Sequence, residues 1–392
     1  MVRVLHVPLP LSRRGNTLIG VVAELARCES ADGATVGVVV SDNRDAHLDG
    51  LDNLSVDYTR HCPRQRFTRA ERLQDDLSAR LGRRRRHTGD LYLPAVEAAV
   101  AWCPDLLLLY EGMATAATVP AWRAALPDAR IVLYLHSPLA RTYGRAELVR
   151  SLVDIDAVVC VSGFLRSQVV TRAPALAART TVVENGVDRS IFHPAPDGSA
   201  GQDRGDRSSF ELLFVGQVAP HKGPDLLLRA IAAARELTDV PLRATVVGSS
   251  AYDAGDDLTD FERSLRAVAT LSGLEVEFVP FVAKDALAVF YQRASVACVP
   301  SIFDEPYGLV AVEAMACGTA LVASRRGGLP EVGGDAARYV DPEDTAGFAA
   351  VIADLADHPD TVARMGADGL RLSEHRTWET ASRRIAEVAG AT

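Results

Sequence analysis

Short, mostly apolar β-branched runs alternate with longer amphipathic segments along the whole chain, the pattern of βαβ units feeding parallel sheets. In the first half, strands are predicted at Val2–Val7, Thr35–Val40, Asp105–Tyr110, Arg130–Leu135, Ala157–Val161 and Thr181–Val183. Helices are predicted between them at Thr17–Cys28, Tyr92–Trp102, Ala116–Leu126 and Gly163–Arg172. The second half repeats the pattern, with strands at Glu211–Val215, Arg243–Val247, Glu275–Val279, Val296–Val299, Ala320–Val322 and Arg338–Val340. Its predicted helices are Asp225–Leu237, Thr259–Leu271, Leu287–Arg293, Val310–Cys317 and Ala346–Ala356. The strand runs are near-continuously apolar rather than alternating, as strands covered on both faces should be.

Between the halves, Ala195–Ser209 is rich in Gly, Ser, Asp and Pro and carries no large apolar side chain, which reads as a solvated connection. The expected architecture is therefore α/β, with two doubly wound Rossmann-like domains and the ligand site in the cleft between them. The expected division is an amino-terminal domain over 1–190, a linker over 191–209 and a second domain over 210–372, with 373–392 a terminal helix packing back toward the first domain. A chain of 392 residues fits two such domains.

Composition narrows the function classes. A formal charge of -9 excludes a general nucleic-acid binder, which needs a basic excess to neutralise phosphates. The six cysteines form no CxxC pair and no zinc-spaced cluster, and usage of this kind suits a reducing cytoplasm. No apolar stretch reaches the roughly 18–20 residues of a membrane span. The start, MVRVLHVPL, is short for a signal sequence. A cytoplasmic enzyme is expected.

The strongest chemical signal is Ser301-Ile302-Phe303-Asp304-Glu305-Pro306-Tyr307-Gly308-Leu309-Val310-Ala311-Val312-Glu313, which joins a predicted strand to a predicted helix. Gly308 sits where backbone must approach a ligand, and the amides that follow open a helix, which suits an anion. Glu305 and Glu313 lie eight residues apart across that turn; Glu313 is placed to accept hydrogen bonds from paired hydroxyls such as those of ribose. On the bland reading the two glutamates are only a cap and a solvated charge, and Glu313, lying among apolar neighbours, could form an internal ion pair. A second strand–loop–helix element runs Phe214-Val215-Gly216-Gln217-Val218-Ala219-Pro220-His221-Lys222-Gly223. It is not a P-loop, yet a Gly turn with a lysine at a helix start neutralises a diphosphate well.

On these residues the sequence resembles the GT-B glycosyltransferases of group 4. The resemblance rests on Glu305 with Glu313, on Gly216–Gly223, on Glu184-Asn185-Gly186-Val187-Asp188 followed by Phe192 and Pro194, and on Gly327-Gly328-Leu329-Pro330-Glu331. It implies retaining transfer of a hexose-type sugar from a nucleotide diphosphate donor, most often UDP-linked, to a small-molecule or glycolipid acceptor. It implies no metal ion and no cofactor beyond the donor. It places Lys222 on the diphosphate, Glu313 on the ribose, and Glu305 with Pro306, Tyr307, Gly308, Leu309 and Val310 along the donor sugar and pyrophosphate. Gly216 and Gln217 join that donor site, and Phe281 and Val282 lie by the base. In the first domain, His136, at the end of a strand, matches the family's histidine beside the reacting sugar, and Gly15 lets backbone approach the phosphates or acceptor.

Three positions depart from the family: Gln217 stands for an arginine, Arg14-Gly15-Asn16 for a Gly-Gly pair, and Pro280 for a glycine. The first removes a cation that His221 is a candidate to replace. A basic run over residues 60–86, ending in Arg83, Arg84, Arg85 and Arg86, reads as a solvated loop and helix, an anionic-acceptor site or a contact with an acidic membrane surface. At most a peripheral contact with a membrane is expected. A catalytically weak nucleotide-sugar-binding module and a phosphorylase-like glycosyl-phosphate enzyme remain open as alternatives.

Overall fold

The computed structural model describes residues 2–390 apart from 9–16, 42–46, 59–67, 82, 84, 111–114, 139–143, 197–208 and 251–257. It divides into two compact units: Met1–Asn185 with Trp378–Thr392, and Gly186–Thr377.

The first unit holds β1 (Arg3–Val7), β2 (Thr35–Ser41), β3 (Asp52–Val56), β4 (Leu106–Tyr110), β5 (Arg130–Leu135), β6 (Ala157–Cys160) and β7 (Thr180–Val182). All pair in parallel in the order β3-β2-β1-β4-β5-β6-β7. The central strand β4, Leu-Leu-Leu-Leu-Tyr, is buried at every position, as a strand sandwiched between helices must be. The sheet edge behaves differently. β3, Asp-Asn-Leu-Ser-Val, buries only Val56 and carries so few apolar residues that its sequence shows no strand signature; it forms because β2 offers it a free ladder of amides and carbonyls.

The second unit holds β8 (Phe210–Val215), β9 (Leu242–Val247), β10 (Glu275–Val279), β11 (Val296–Val299), β12 (Ala320–Ser324) and β13 (Ala337–Val340), parallel in the order β10-β9-β8-β11-β12-β13. One sheet face packs Leu212, Phe214, Ala244, Val246 and Cys298 against Leu227, Ile231, Leu265, Phe348 and Ile352 from the flanking helices. The helix Asp260–Leu271 starts at a Thr259–Glu262 capping box, in which each residue satisfies an orphan amide of the other. In both units the strand order reverses beside the first strand, between β1 and β4 and between β8 and β11, which is where doubly wound sheets leave room for a ligand.

The chain passes between units at Asn185–Gly186 and Thr377–Trp378. Residues 191–196, assigned to a linker from composition, belong to the second unit: Phe192 is fully buried with its ring edge on Tyr291, 5.8 Å between centroids, and Gln292 donates to the carbonyl of His193 at 2.8 Å. The last helix, Trp378–Ala389, is part of the first unit. There it buries Trp378, Ala381, Ile385 and Ala389, and Arg130 donates to the carbonyl of Ala389 at 2.8 Å. Among the described residues no helix is long and apolar enough to cross a membrane.

Candidate functional site

In the second unit, β8 and β11 run side by side, so the loops at their carboxyl ends emerge at one edge of the sheet. Both loops lead into helices whose starts no side chain caps. The helix Leu309–Ala316 begins at Gly308 (φ 110°), and its first-turn amides at Leu309 and Val310 carry the positive end of the helix. A Cβ at Gly308 would lie 2.6 Å from Leu329 Cδ2, so the turn is packed as well as left-handed. The helix Pro224–Ala234 likewise starts at a left-handed Gly223 with no side-chain cap.

Lys222 and Glu305 meet across these loops. Lys222 Nζ donates to Glu305 Oε1 at 2.8 Å, Ser301 Oγ donates to the same oxygen at 2.6 Å, and the lysine lies 4.8 Å from the centre of the Phe303 ring. Glu305 is 7% exposed, so its carboxylate is held inward on Lys222 and Ser301. The loop is anchored from a third strand: Gly328 N donates to the carbonyl of Glu305 at 2.7 Å, and a Cβ on Gly327 would fall 2.1 Å from that same oxygen. The Gly327-Gly328 turn thus has a physical purpose, which is to let two backbones touch.

Glu313 lies one turn into its helix, half-buried, and Oε2 accepts from the hydroxyl of Tyr291 at 2.9 Å. Burial raises the pKa of Glu313 above the ordinary carboxylate range, while the Tyr291 hydroxyl and the Lys284 charge pull it back. Tyr291 is fully buried and is itself anchored, its carbonyl accepting from Thr319 Oγ1 at 2.6 Å. No spacing rule marks Tyr291; the tertiary packing of its helix against Leu309–Ala316 brings it to Glu313.

The other positions that the resemblance assigns to the donor are placed as follows. Gly216 follows β8, and Gln217 Nε2 donates to the carbonyl of Ser250 at 2.8 Å. Pro306, Leu309 and Val310 are part-exposed, whereas Tyr307 is 3% exposed and supports the turn from below. Phe281 and Val282 are part-buried on the segment after β10. His221, the candidate to replace the missing arginine, has its pKa lowered by partial burial and the neighbouring Lys222 against a smaller opposing pull from Glu305, and it packs edge-on to Phe303 at 5.1 Å. A separate cavity of about 550 Å3 lies by the amino ends of β8, β9 and β10, at the opposite edge of the sheet. Its Arg243 is already paired with Glu275 and Glu211.

In the first unit, His136 follows β5 directly. Its ring stacks on Tyr110 (5.8 Å, 25°) and stands edge-on to Tyr134 at 4.3 Å. Its Nε2 is buried without a hydrogen-bond partner among the described residues, and burial lowers its pKa to about 3. Tyr110 is in turn fixed by His6 Nδ1 at 2.7 Å, and His6 Nε2 meets Glu29 Oε2 at 2.6 Å, a buried polar chain that the sequence did not advertise. Gly15 and Arg84 lie outside the described residues. Arg85 is engaged by Glu147 and Asp76, each at 2.6 Å, while Arg83 is exposed.

Residues 203–371 match the family described as glycosyl transferases group 1, and residues 21–191 match glycosyltransferase family 4. A D-inositol 3-phosphate glycosyltransferase from Streptomyces scabiei is 34% identical over 256 residues, 64% of this chain and 56% of the relative; one from Thermobispora bispora is 35% identical over 249 residues, 59% of this chain and 57% of the relative. The matches thus span little more than half the length of these relatives. Among solved structures, a sucrose-phosphate synthase from Thermosynechococcus elongatus superposes with TM-score 0.75 at 19% identity, covering 100% of this chain and 99% of that one. Anabaena Alr3699/HepE in complex with UDP gives TM-score 0.74 at 19% identity, covering 100% of both chains. At that identity the likeness speaks for the fold, two Rossmann-like parallel-sheet units of GT-B type. The chain belongs to the group 4 glycosyltransferases of GT-B fold.

Proposed function

We propose that the protein transfers a hexose-type sugar from a nucleotide diphosphate sugar, UDP-linked by preference, to a small-molecule or glycolipid acceptor, with retention of anomeric configuration and without a metal ion. The observation that carries the reading is the pair of uncapped helix starts flanking Lys222 where the second sheet reverses its strand order. Three positive groups, two helix ends and one ammonium, converge at one sheet edge, and that is the electrostatic demand of a leaving diphosphate. The curated relatives act on an inositol phosphate and Alr3699/HepE binds UDP, and both fit the proposal without fixing acceptor or base.

In the step proposed, the bond between the anomeric carbon and the diphosphate oxygen breaks as the acceptor oxygen bonds that carbon on the same face. The acceptor's proton passes to the departing phosphate. Lys222 and the amides at Leu309 and Val310 carry the charge that develops on the diphosphate. Glu313, oriented by Tyr291, takes the ribose hydroxyls, and Glu305 positions Lys222 rather than reacting. His136 is assigned to transfer rather than nucleotide binding, because an unsatisfied buried nitrogen at a strand's carboxyl end asks for a purpose.

Titration calorimetry of the purified chain with UDP, GDP, ADP and NAD, followed by a screen of sugar nucleotides for slow hydrolysis, tests the reading. Binding of one nucleoside diphosphate with release of its sugar is the expected outcome. Indifference to every sugar nucleotide would overturn it.

A further inference from the structure

The helix Arg69–Arg80 is mounted inside out. Its inward side carries Asp75 and Ala79, both buried, with Glu71 and Ser78 part-buried beside them. Its outward side carries Leu73, Leu77 and, at the C-cap, Leu81, which are 70%, 57% and 64% exposed. The spacing of four puts the three leucines in one row along the axis. A helix packed for the sake of its own core would do the reverse.

The charges beside the row that lack a counter-charge among the described residues are of one kind. Arg69, Arg72 and Arg80 on the helix and Arg83 just after it are all exposed, and none has a carboxylate partner among the described residues. On a helical projection Arg69 and Arg80 border the leucines directly. The acids of the segment are spoken for: Glu71 closes a capping box with Thr68, Asp75 accepts from His87 N at 3.0 Å, and Asp76 pairs with Arg85 at 2.6 Å. The protein as a whole carries a formal charge of -9, so this cationic border is a local feature rather than a reflection of bulk composition.

An exposed apolar row edged by unpaired arginines fits one partner chemistry: a bilayer surface bearing anionic headgroups, with leucines in the acyl boundary and guanidiniums on the phosphates. We propose that this helix docks the amino-terminal unit on an anionic lipid surface, lying in the interface plane. Charge complementarity selects the lipid over a second copy of the chain, whose matching face would bring the same arginines against each other. The inference stands apart from the proposed sugar transfer, since it is read by binding alone.

Co-sedimentation with vesicles tests it directly. The protein should pellet with vesicles of phosphatidylglycerol mixed with phosphatidylcholine, more weakly as salt is raised, and little with phosphatidylcholine alone. The triple variant Leu73→Ser, Leu77→Ser, Leu81→Ser should lower the partition coefficient by about tenfold or more. Because those side chains are solvent-exposed, the variant should keep the wild-type melting curve and nucleotide binding. Arg69→Ser, Arg72→Ser, Arg80→Ser should abolish the preference for anionic vesicles. No pelleting with either vesicle would overturn the proposal, as would pelleting that the leucine variant leaves intact. A dimer in analytical ultracentrifugation that the leucine variant dissolves would assign the row to a second copy instead.

Discussion

Removing the ammonium of Lys222 should cost both stability and donor affinity, and the two costs are separable. The pair Lys222–Glu305 is closed at 2.8 Å, with the glutamate side chain 9% and the lysine side chain 23% exposed. Stripping one partner from a fully buried pair costs about 3–5 kcal/mol, because the other charge stays behind unpaired. Partial exposure of the lysine screens the pair, and Ser301 continues to donate to Glu305, so the expected loss for Lys222→Ala is about 2 kcal/mol. Glu305→Gln should cost less, since the freed ammonium can reach water. The double variant should recover about 1 kcal/mol relative to the sum of the singles, because no charge remains stranded. The protein has three tryptophans, Trp102, Trp122 and Trp378, all in the first unit. Urea unfolding followed by fluorescence therefore reports the first unit, and far-ultraviolet circular dichroism reports both. The shift should appear in the second signal. Nucleotide affinity measured by calorimetry on the same samples should fall by about 1.5–3 kcal/mol for Lys222→Ala, the scale of a lost charged hydrogen bond. Additive stability changes, with coupling below about 0.5 kcal/mol, would refute the idea that Glu305 holds Lys222 in place.

Glu313→Ala should lower kcat/KM for the sugar nucleotide by about 1.5–3 kcal/mol, and an unchanged value would remove Glu313 from the ribose. Tyr291→Phe takes away a hydrogen bond that lowers the Glu313 pKa, so the acid limb of the kcat/KM profile should move to higher pH; an unmoved limb would mean the hydroxyl does not act through the carboxylate. Gly327→Ala should destabilise the second unit by about 2–3 kcal/mol, since it combines a left-handed backbone (φ 61°) with a Cβ driven into the carbonyl of Glu305, and a circular-dichroism unfolding curve within error of wild type would deny that contact. Burial holds His136 at about 3 against an ordinary 6.5, so the unfolded chain takes up a proton that the folded one refuses as pH falls between those values. Its contribution to stability is therefore intact above pH 6.5 and is lost on acidification. Compared with His136→Gln, wild-type stability by fluorescence should fall more steeply by up to about 1.4 kcal/mol per pH unit, and parallel curves would mean a solvated ring.

The repeating strand–helix pattern and both strand–turn–helix elements, with Lys222 at the end of one turn and Gly308 at the start of the helix in the other, were legible in the sequence, because each rests on local rules: period, turn chemistry and the residues that open a helix. Continuously apolar runs such as β4 and β12 announce strands buried on both faces whatever surrounds them. Elements without such a local signature were not legible. β3 has no apolar alternation and exists only as an added edge. Phe192 and His193 look like the start of a linker until Tyr291 and Gln292 are brought against them.

Tertiary structure alone decided the direction in which each charge points. Glu305 reads as a group facing the sugar, yet packing turns it onto Lys222 and Ser301; His221 reads as a spare cation, yet burial and the adjacent Lys222 lower its pKa. Tyr291 reaches Glu313, and His6 reaches Tyr110, across separations that no periodicity encodes. The physical reason is the same in each case. Backbone period is a property of a few consecutive residues, whereas burial, hydrogen-bond partnership and the pKa values that follow from them depend on which distant segments the fold places within a few ångströms.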